Sequence, residues 1–186
     1  MPGMNPPLRT LNAARVVFLA ASFLLLASFA RAEVRAVGDG GFILENTVAV
    51  EQDVATTWTA FVEEIDNWWP KDHSWWLDQG TFSIDSHAGG CFCERNGESS
   101  AEHMRIVFVD PGKLLRMSGG LGPLQGMGLN GALDFSFSEA DGGTEVVMTY
   151  SVSGFSPDGF EQLAPVVDTV QALQIGGLKD FLSNRQ

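Results

Sequence analysis

The side chains best suited to chemistry cluster in the middle of the chain. His87, Cys91, Cys93 and His103 lie within 17 positions and carry atoms that zinc or copper accepts. Their spacing is not the Cys-x2-Cys of a metal clip, and small thiols beside a surface histidine account for the same residues. No metal is assigned. In an oxidising compartment Cys91 and Cys93 favour a disulfide. On a regular strand they would share a face about 6 to 7 Å apart, at the edge of what a bridge spans, so bonding them requires a bulge or turn. Glu94, Glu102, His103 and Arg105 fall on central strands, and any of them inside a cavity would have a shifted pKa and could move protons. Met104, Ile106 and Phe108 claim the inner face of their strand, which places His103 and Arg105 outside. Tyr150 shares a face with Val146, Met148 and Val152 and is the most credible polar group of the interior. No nucleophile, base and orienting group stand together. Catalytic residues are therefore unassigned, and no cofactor is called for.

All five tryptophans, Trp58, Trp68, Trp69, Trp75 and Trp76, lie within 19 positions. Helical spacing assigns Trp58 to the core, whereas Trp69 and Trp76 suit either the core or the wall of an apolar pocket. The other pocket candidates are Phe92, Met104, Phe108, Met117, Phe135, Tyr150 and Val170.

These residues need elements to position them. Residues 33–41 read as a lead-in without periodicity, and alternation begins at Phe42 and runs to Val50 as a strand. Asp53 caps a helix through Ile65, which ends where Pro70 forbids continuation. Antiparallel strands follow at 82–85, 91–95, 101–109, 113–118, 131–138 and 144–153, separated by turns such as Asn96-Gly97 and Asp110-Pro111-Gly112. The glycine-rich stretch 119–128 lacks the ending of a phosphate loop and reads as a long loop with an apolar tip. The last element is a helix, with Pro165 suited to its first turn. Leu163, Val166, Val167, Val170, Leu173, Gly177, Leu178 and Phe181 fall on one side of it. Gly176-Gly177 inside that helix predicts close packing against another backbone, or a bend. The order predicts an α+β helix-grip architecture: a curved antiparallel sheet wrapped around a long C-terminal helix, with two short helices after the first strand.

The segments "VAVEQDVATTWTAFVEEIDNWWP", "VDPGKLLRMSGGLGPLQGMGLNGALDFSF" and "DGGTEVVMTYSVSG" resemble SRPBCC (START/Bet v 1-like) proteins. The similarity extends over about residues 42 to 183 and is strongest to the polyketide cyclase/dehydratase and Hsp90-ATPase-activator-homology branch. It implies a helix-grip fold with a deep apolar pocket.

At the other end of the chain, Arg9 and Arg15 precede a 15-residue apolar run, Val16 to Ala30, followed by Ala30-Arg31-Ala32. This is the pattern of a cleaved signal peptide, residues 1–32, too short for a bilayer that needs about 20 residues. The mature chain, with its domain at 42–186, is then expected to be periplasmic or secreted, without a membrane anchor. Cleavage leaves eight basic residues against 23 acidic ones, a net charge of −15. Such a surface repels nucleic acid and anionic lipid. The sequence therefore points to a binding protein for a hydrophobic or aromatic small molecule held between sheet and C-terminal helix. The alternatives are a cyclase- or dehydratase-like enzyme using Tyr150, Glu94 or His73 in that cavity, and a protein-interaction domain using the Trp-rich segment with Leu121 to Met127. Ligand identity and oligomeric state are left open.

Overall fold

The computed structural model describes Gly3 and residues 31–185. The apolar run of the expected signal peptide lies outside the described residues. Eight strands form one open, curved sheet: β1 (Arg31–Gly38), β2 (Gly41–Val50), β3 (Thr81–Ile84), β4 (Cys91–Asn96), β5 (Ser99–Asp110), β6 (Leu114–Gly119), β7 (Asn130–Ala140) and β8 (Gly143–Ser153). They pair antiparallel in the order β1-β2-β8-β7-β6-β5-β4-β3. Between β2 and β3 lie α1 (Val54–Glu63) and α2 (Ile65–Trp68), then two single 3-10 turns, Lys71–His73 and Leu77–Gln79. A single helical turn, α3 (Pro123–Gly126), interrupts the glycine-rich loop, and α4 (Leu163–Ser183) closes the chain. The helix-grip architecture expected from the order of elements is the one observed.

The residues of the expected lead-in form most of β1. Its periodicity is hidden because Arg35 is an extra residue: Val34 pairs with Leu44 and Ala36 with Ile43. Val34 and Val37 pack against the core on either side of this bulge. A bulge breaks the period-2 signal on which a strand is recognised.

The concave face of the sheet buries Phe42, Leu44, Met117, Phe135, Met148 and Tyr150 among others. Helix α1 starts at Asp53, whose carboxylate accepts from the Thr56 amide at 2.7 Å, and it lays Phe61 on Phe135 and Phe137. Helix α4 crosses the same face, tied to the sheet by Asn46, whose Nδ2 donates to Asp168 at 3.1 Å, and to α1 by Arg185 on Glu64.

The buried face of α4 differs from the expected stripe. Ala164, Gln171, Gln174, Ile175, Leu178 and Leu182 face inward, while Val166 and Leu173 are about 60% exposed. The two apolar stripes compete around the helix, and contact with the sheet chooses the one that carries two glutamines. Of the glycine pair, Gly177 meets the expectation of close packing: a Cβ there would lie 2.2 Å from the Trp68 carbonyl oxygen, whereas one on Gly176 meets nothing within 4 Å. The two should therefore respond with opposite sign in urea unfolding. Gly176→Ala is expected to stabilise by up to about 1 kcal/mol through helix propensity. Gly177→Ala is expected to destabilise by about 1–3 kcal/mol as α4 is pushed off the Trp68 backbone.

Candidate functional site

The chain between α1 and β3 makes an excursion over the open end of the sheet, and its tryptophans divide the work. Trp68 is buried and donates its indole N–H to the Ala60 carbonyl at 3.1 Å. Trp69 turns the other way and stacks edge-on against Phe92, with ring centres 4.9 Å apart. Lys71 braces the excursion by donating to Asp66 and to the Gly80 carbonyl, and Asp66 in turn accepts from the Phe82 amide at 2.7 Å.

Under this excursion lies a cavity of about 360 Å³, of a size that takes a small organic ligand. Trp69, Leu121 and Leu124 form one apolar wall, and Leu163, Val167 and Val170 of α4 form the other. Trp75, Met127 and Val166, each roughly half exposed, rim its mouth. The polar residues of its lining are His73, Ser74, His103, Gln171 and Gln174, with Asp72 exposed at the edge. Among the described residues, no lysine or arginine lines it.

Three of these groups carry side-chain atoms without a partner among the described residues. Both amide atoms of Gln171, Oε1 of Gln174 and Nδ1 of His73 are buried without a hydrogen bond. An unsatisfied buried polar atom costs about 1–3 kcal/mol.

His103 is held differently. Its Nε2 lies 2.9 Å from Glu94 Oε2, and both side chains are almost wholly buried. Glu94 also accepts from the Trp75 amide at 3.2 Å and from the Ser74 hydroxyl. Room for its carboxylate exists because residue 80 is glycine; a Cβ there would sit 2.0 Å from Glu94 Oε1. Burial pushes the Glu94 carboxyl up, but the hydrogen bonds from Ser74, Trp75 and His103 together hold it below the usual carboxylate range. Burial also lowers the His103 pKa, and it outweighs the raising effect of Glu94. The two directions agree on one state at neutral pH. Glu94 is ionised, and His103 is neutral, donating Nε2–H to it. Its Nδ1 lone pair has no protein partner among the described residues.

His103 was expected on the outer face. It is inside because a bulge opposite Phe92 and Cys93 makes it an extra residue of β5: Phe92 pairs with Met104, and Cys93 with Glu102. His103 and Met104 therefore both point inward, while Glu102 and Arg105 pair with each other outside. A second bulge, between Ile106 and Phe108, turns Phe108 outward, where it is 46% exposed; it is not a pocket residue. Trp69 and Val170 line the cavity, whereas Trp76 is half-buried away from it. Phe92, Met104, Met117, Phe135 and Tyr150 are buried in the core and do not line the cavity. Sequence reasoning missed Gln171 and Gln174. The signal lay in the seven-residue step Ala164, Gln171, Leu178, which matches a helix face as well as the valine stripe does. Cys91 and Cys93 are joined in a disulfide, which takes both sulfurs out of the metal constellation weighed above.

Tyr150 spends its hydroxyl on the loop. It accepts from the Leu121 amide at 2.9 Å and donates to the Gly119 carbonyl at 3.0 Å. Burial pushes its pKa up to about 12, although the Leu121 hydrogen bond pulls it down, so it does not serve as a base near neutrality. Its role is to hold the strand end from which the cavity wall hangs. Tyr150→Phe should cost about 1–3 kcal/mol in urea unfolding and remove the hydrogen-exchange protection of the Leu121 amide.

Several solved structures share this fold. CalU16 from Micromonospora echinospora aligns with a TM-score of 0.55 at 16% identity, covering 83% of this chain and 85% of that one. MLL2253 from Mesorhizobium loti aligns with a TM-score of 0.56 at 16% identity, over 77% of this chain and 98% of its own. SSP2350 from Staphylococcus saprophyticus gives 0.54 at 18% identity, over 76% and 91%. The likeness is one of helix-grip fold, an open curved sheet packed on a long C-terminal helix, and at these identities it establishes the fold alone. No family model matches the chain, and no curated protein does.

Proposed function

We propose that this chain binds a neutral, largely apolar small molecule in the cavity between the sheet and α4. One observation carries the reading: Gln171 and Gln174 line an apolar cavity, and the buried amide of the first and oxygen of the second have no hydrogen-bond partner among the described residues. Natural proteins rarely leave buried polar groups unpaired, and those that persist need an explanation. A ligand offering both a donor and an acceptor supplies one. The absence of lysine and arginine from the lining argues against a carboxylate or phosphate on that ligand. Native mass spectrometry of the protein purified without denaturant tests this. A bound, releasable small molecule of a few hundred daltons is expected. Protein that is empty and stays empty after incubation with neutral aromatic and polycyclic compounds would count against the reading.

A second reading, an enzyme of the cyclase or dehydratase kind, is favoured by the Glu94–His103 pair. A neutral imidazole oriented by a carboxylate, with its other nitrogen free at an apolar cavity, is suited to take a proton from a bound carbonyl compound. The nearby Gln171 amide could donate to the oxygen on which charge develops. The resemblance to the polyketide cyclase/dehydratase branch supports this at the level of fold. The interaction-domain reading has less support, since Trp68 and Trp69 are buried and Trp75 alone of the five tryptophans is exposed. The signal-peptide pattern extends the proposal to a protein working in the periplasm or outside the cell, where a Cys91–Cys93 disulfide persists.

A further inference from the structure

A disulfide between residues i and i+2 of one strand has an unusual mechanical effect. Two steps along a regular strand span about 6.6 Å, whereas Cys91 and Cys93 have their Cα atoms 5.4 Å apart. The contraction lies opposite the bulge: Phe92 and Cys93, one step apart on β4, face Met104 and Glu102, two steps apart on β5. The residue left over is His103.

The consequence of removing the bulge can be read from the register. Met104 and Ile106 are fully buried and anchor β5 on one side of it. With regular pairing from there, His103 would lie opposite Cys93 on the outer face, and Glu102 would lie opposite Glu94 inside, because a one-residue slip reverses every side chain beyond it. The cavity would then lose its imidazole, and two carboxylates would face one another in the core.

We infer that the Cys91–Cys93 disulfide is the positioning element of this site, holding β4 short so that the bulge in β5 turns His103 into the cavity against Glu94. The consequence for ligand affinity rests on the binding reading above; the structural claim does not. Both cysteines are only half-buried, on the face of β4 opposite Phe92 and Glu94, so a dithiol can reach the bond. In the test, dithiothreitol is oxidised to its cyclic disulfide as Cys91 and Cys93 take up two electrons and two protons and become thiols.

The experiment follows the His103 imidazole by long-range 1H–15N NMR in the full chain, before and after reduction, with far-UV circular dichroism as the control for folding. In the oxidised protein the ring should titrate below the ordinary value of about 6.5 and show a protected Nε2–H. After reduction, with the dichroism unchanged, the midpoint should rise toward that value, the Nε2–H signal should vanish, and reoxidation should restore both. Cys91→Ala/Cys93→Ala should reproduce the reduced spectrum. Unchanged His103 resonances in the reduced protein, or in the double variant, would overturn the proposal. So would global unfolding on reduction, since the device claimed is local. If no ligand is ever found, the binding reading fails while these spectra still decide whether the disulfide sets the position of His103.

Discussion

Glu94→Ala should lower the stability of this domain by about 3–5 kcal/mol, the cost of removing one partner from a buried hydrogen-bonded pair. The substitution leaves three donors facing a void: the Ser74 hydroxyl, the Trp75 amide and the Nε2–H of His103. For a domain of this size each kcal/mol is worth about 2–4 °C, so thermal unfolding should move down by roughly 10 °C. Glu94→Gln keeps the shape and one acceptor and should cost about half as much, since its amide then meets a donor. The pH dependence has a definite sign. Both members of the pair have their pKa lowered on folding, so each contributes stability above its ordinary pKa that is lost on acidification. His103 withdraws its share as pH falls below about 6.5 and through its folded value. Glu94 follows below about 4.5, through its own folded value. Urea unfolding between pH 4 and 8 should show wild-type stability declining from the first of these values downward. Glu94→Ala should flatten the decline below the second.

Gln171→Met should do two things in opposite directions. In the ligand-free protein it replaces two unpartnered buried polar atoms with a side chain of similar length and should stabilise by about 1–3 kcal/mol. It should at the same time weaken binding of the cavity's ligand about tenfold or more, since tenfold corresponds to about 1.4 kcal/mol of lost hydrogen bonding. Stability gained while binding is lost is the signature of a residue kept for function. A core glutamine of no functional consequence would give the first effect without the second. The paired measurements are the urea midpoint and a binding isotherm on the same preparation.

How much of this was legible in the sequence follows from where side-chain periodicity holds. Strands β2, β7 and β8 alternate without interruption, and their buried hydrophobic residues, from Phe42 to Val152, are those the pattern picks out. Strands β1 and β5 each carry an extra residue, and there the pattern fails. By the pattern alone β1 is an aperiodic lead-in, His103 falls outside and Phe108 inside. A bulge costs the sequence signal one residue of phase, and nothing in the local composition of β5 marks it. The one hint was Cys-Phe-Cys on the neighbouring strand, which could form a bridge only with a bulge or turn. Helix α4 failed for another reason. Two faces satisfied the helical period, and choosing the valine-rich one hid Gln171 and Gln174. The expected pocket between sheet and helix is present, but it is displaced toward the Trp69–Trp75 excursion and the α3 loop. Half of the aromatic residues proposed for its wall, Phe92, Phe135 and Tyr150, therefore form the core.

The central claim, that the cavity holds a neutral apolar ligand through the α4 glutamines, is tested most directly by titrating tryptophan emission. Trp69 lines the cavity and Trp75 rims its mouth, so an occupant must alter their surroundings. Neutral hydroxylated aromatic or polycyclic compounds are expected to quench or shift the emission saturably at micromolar concentration, while their carboxylate analogues do so far more weakly. A flat response to every neutral compound, or preference for the anionic analogues, would contradict the account.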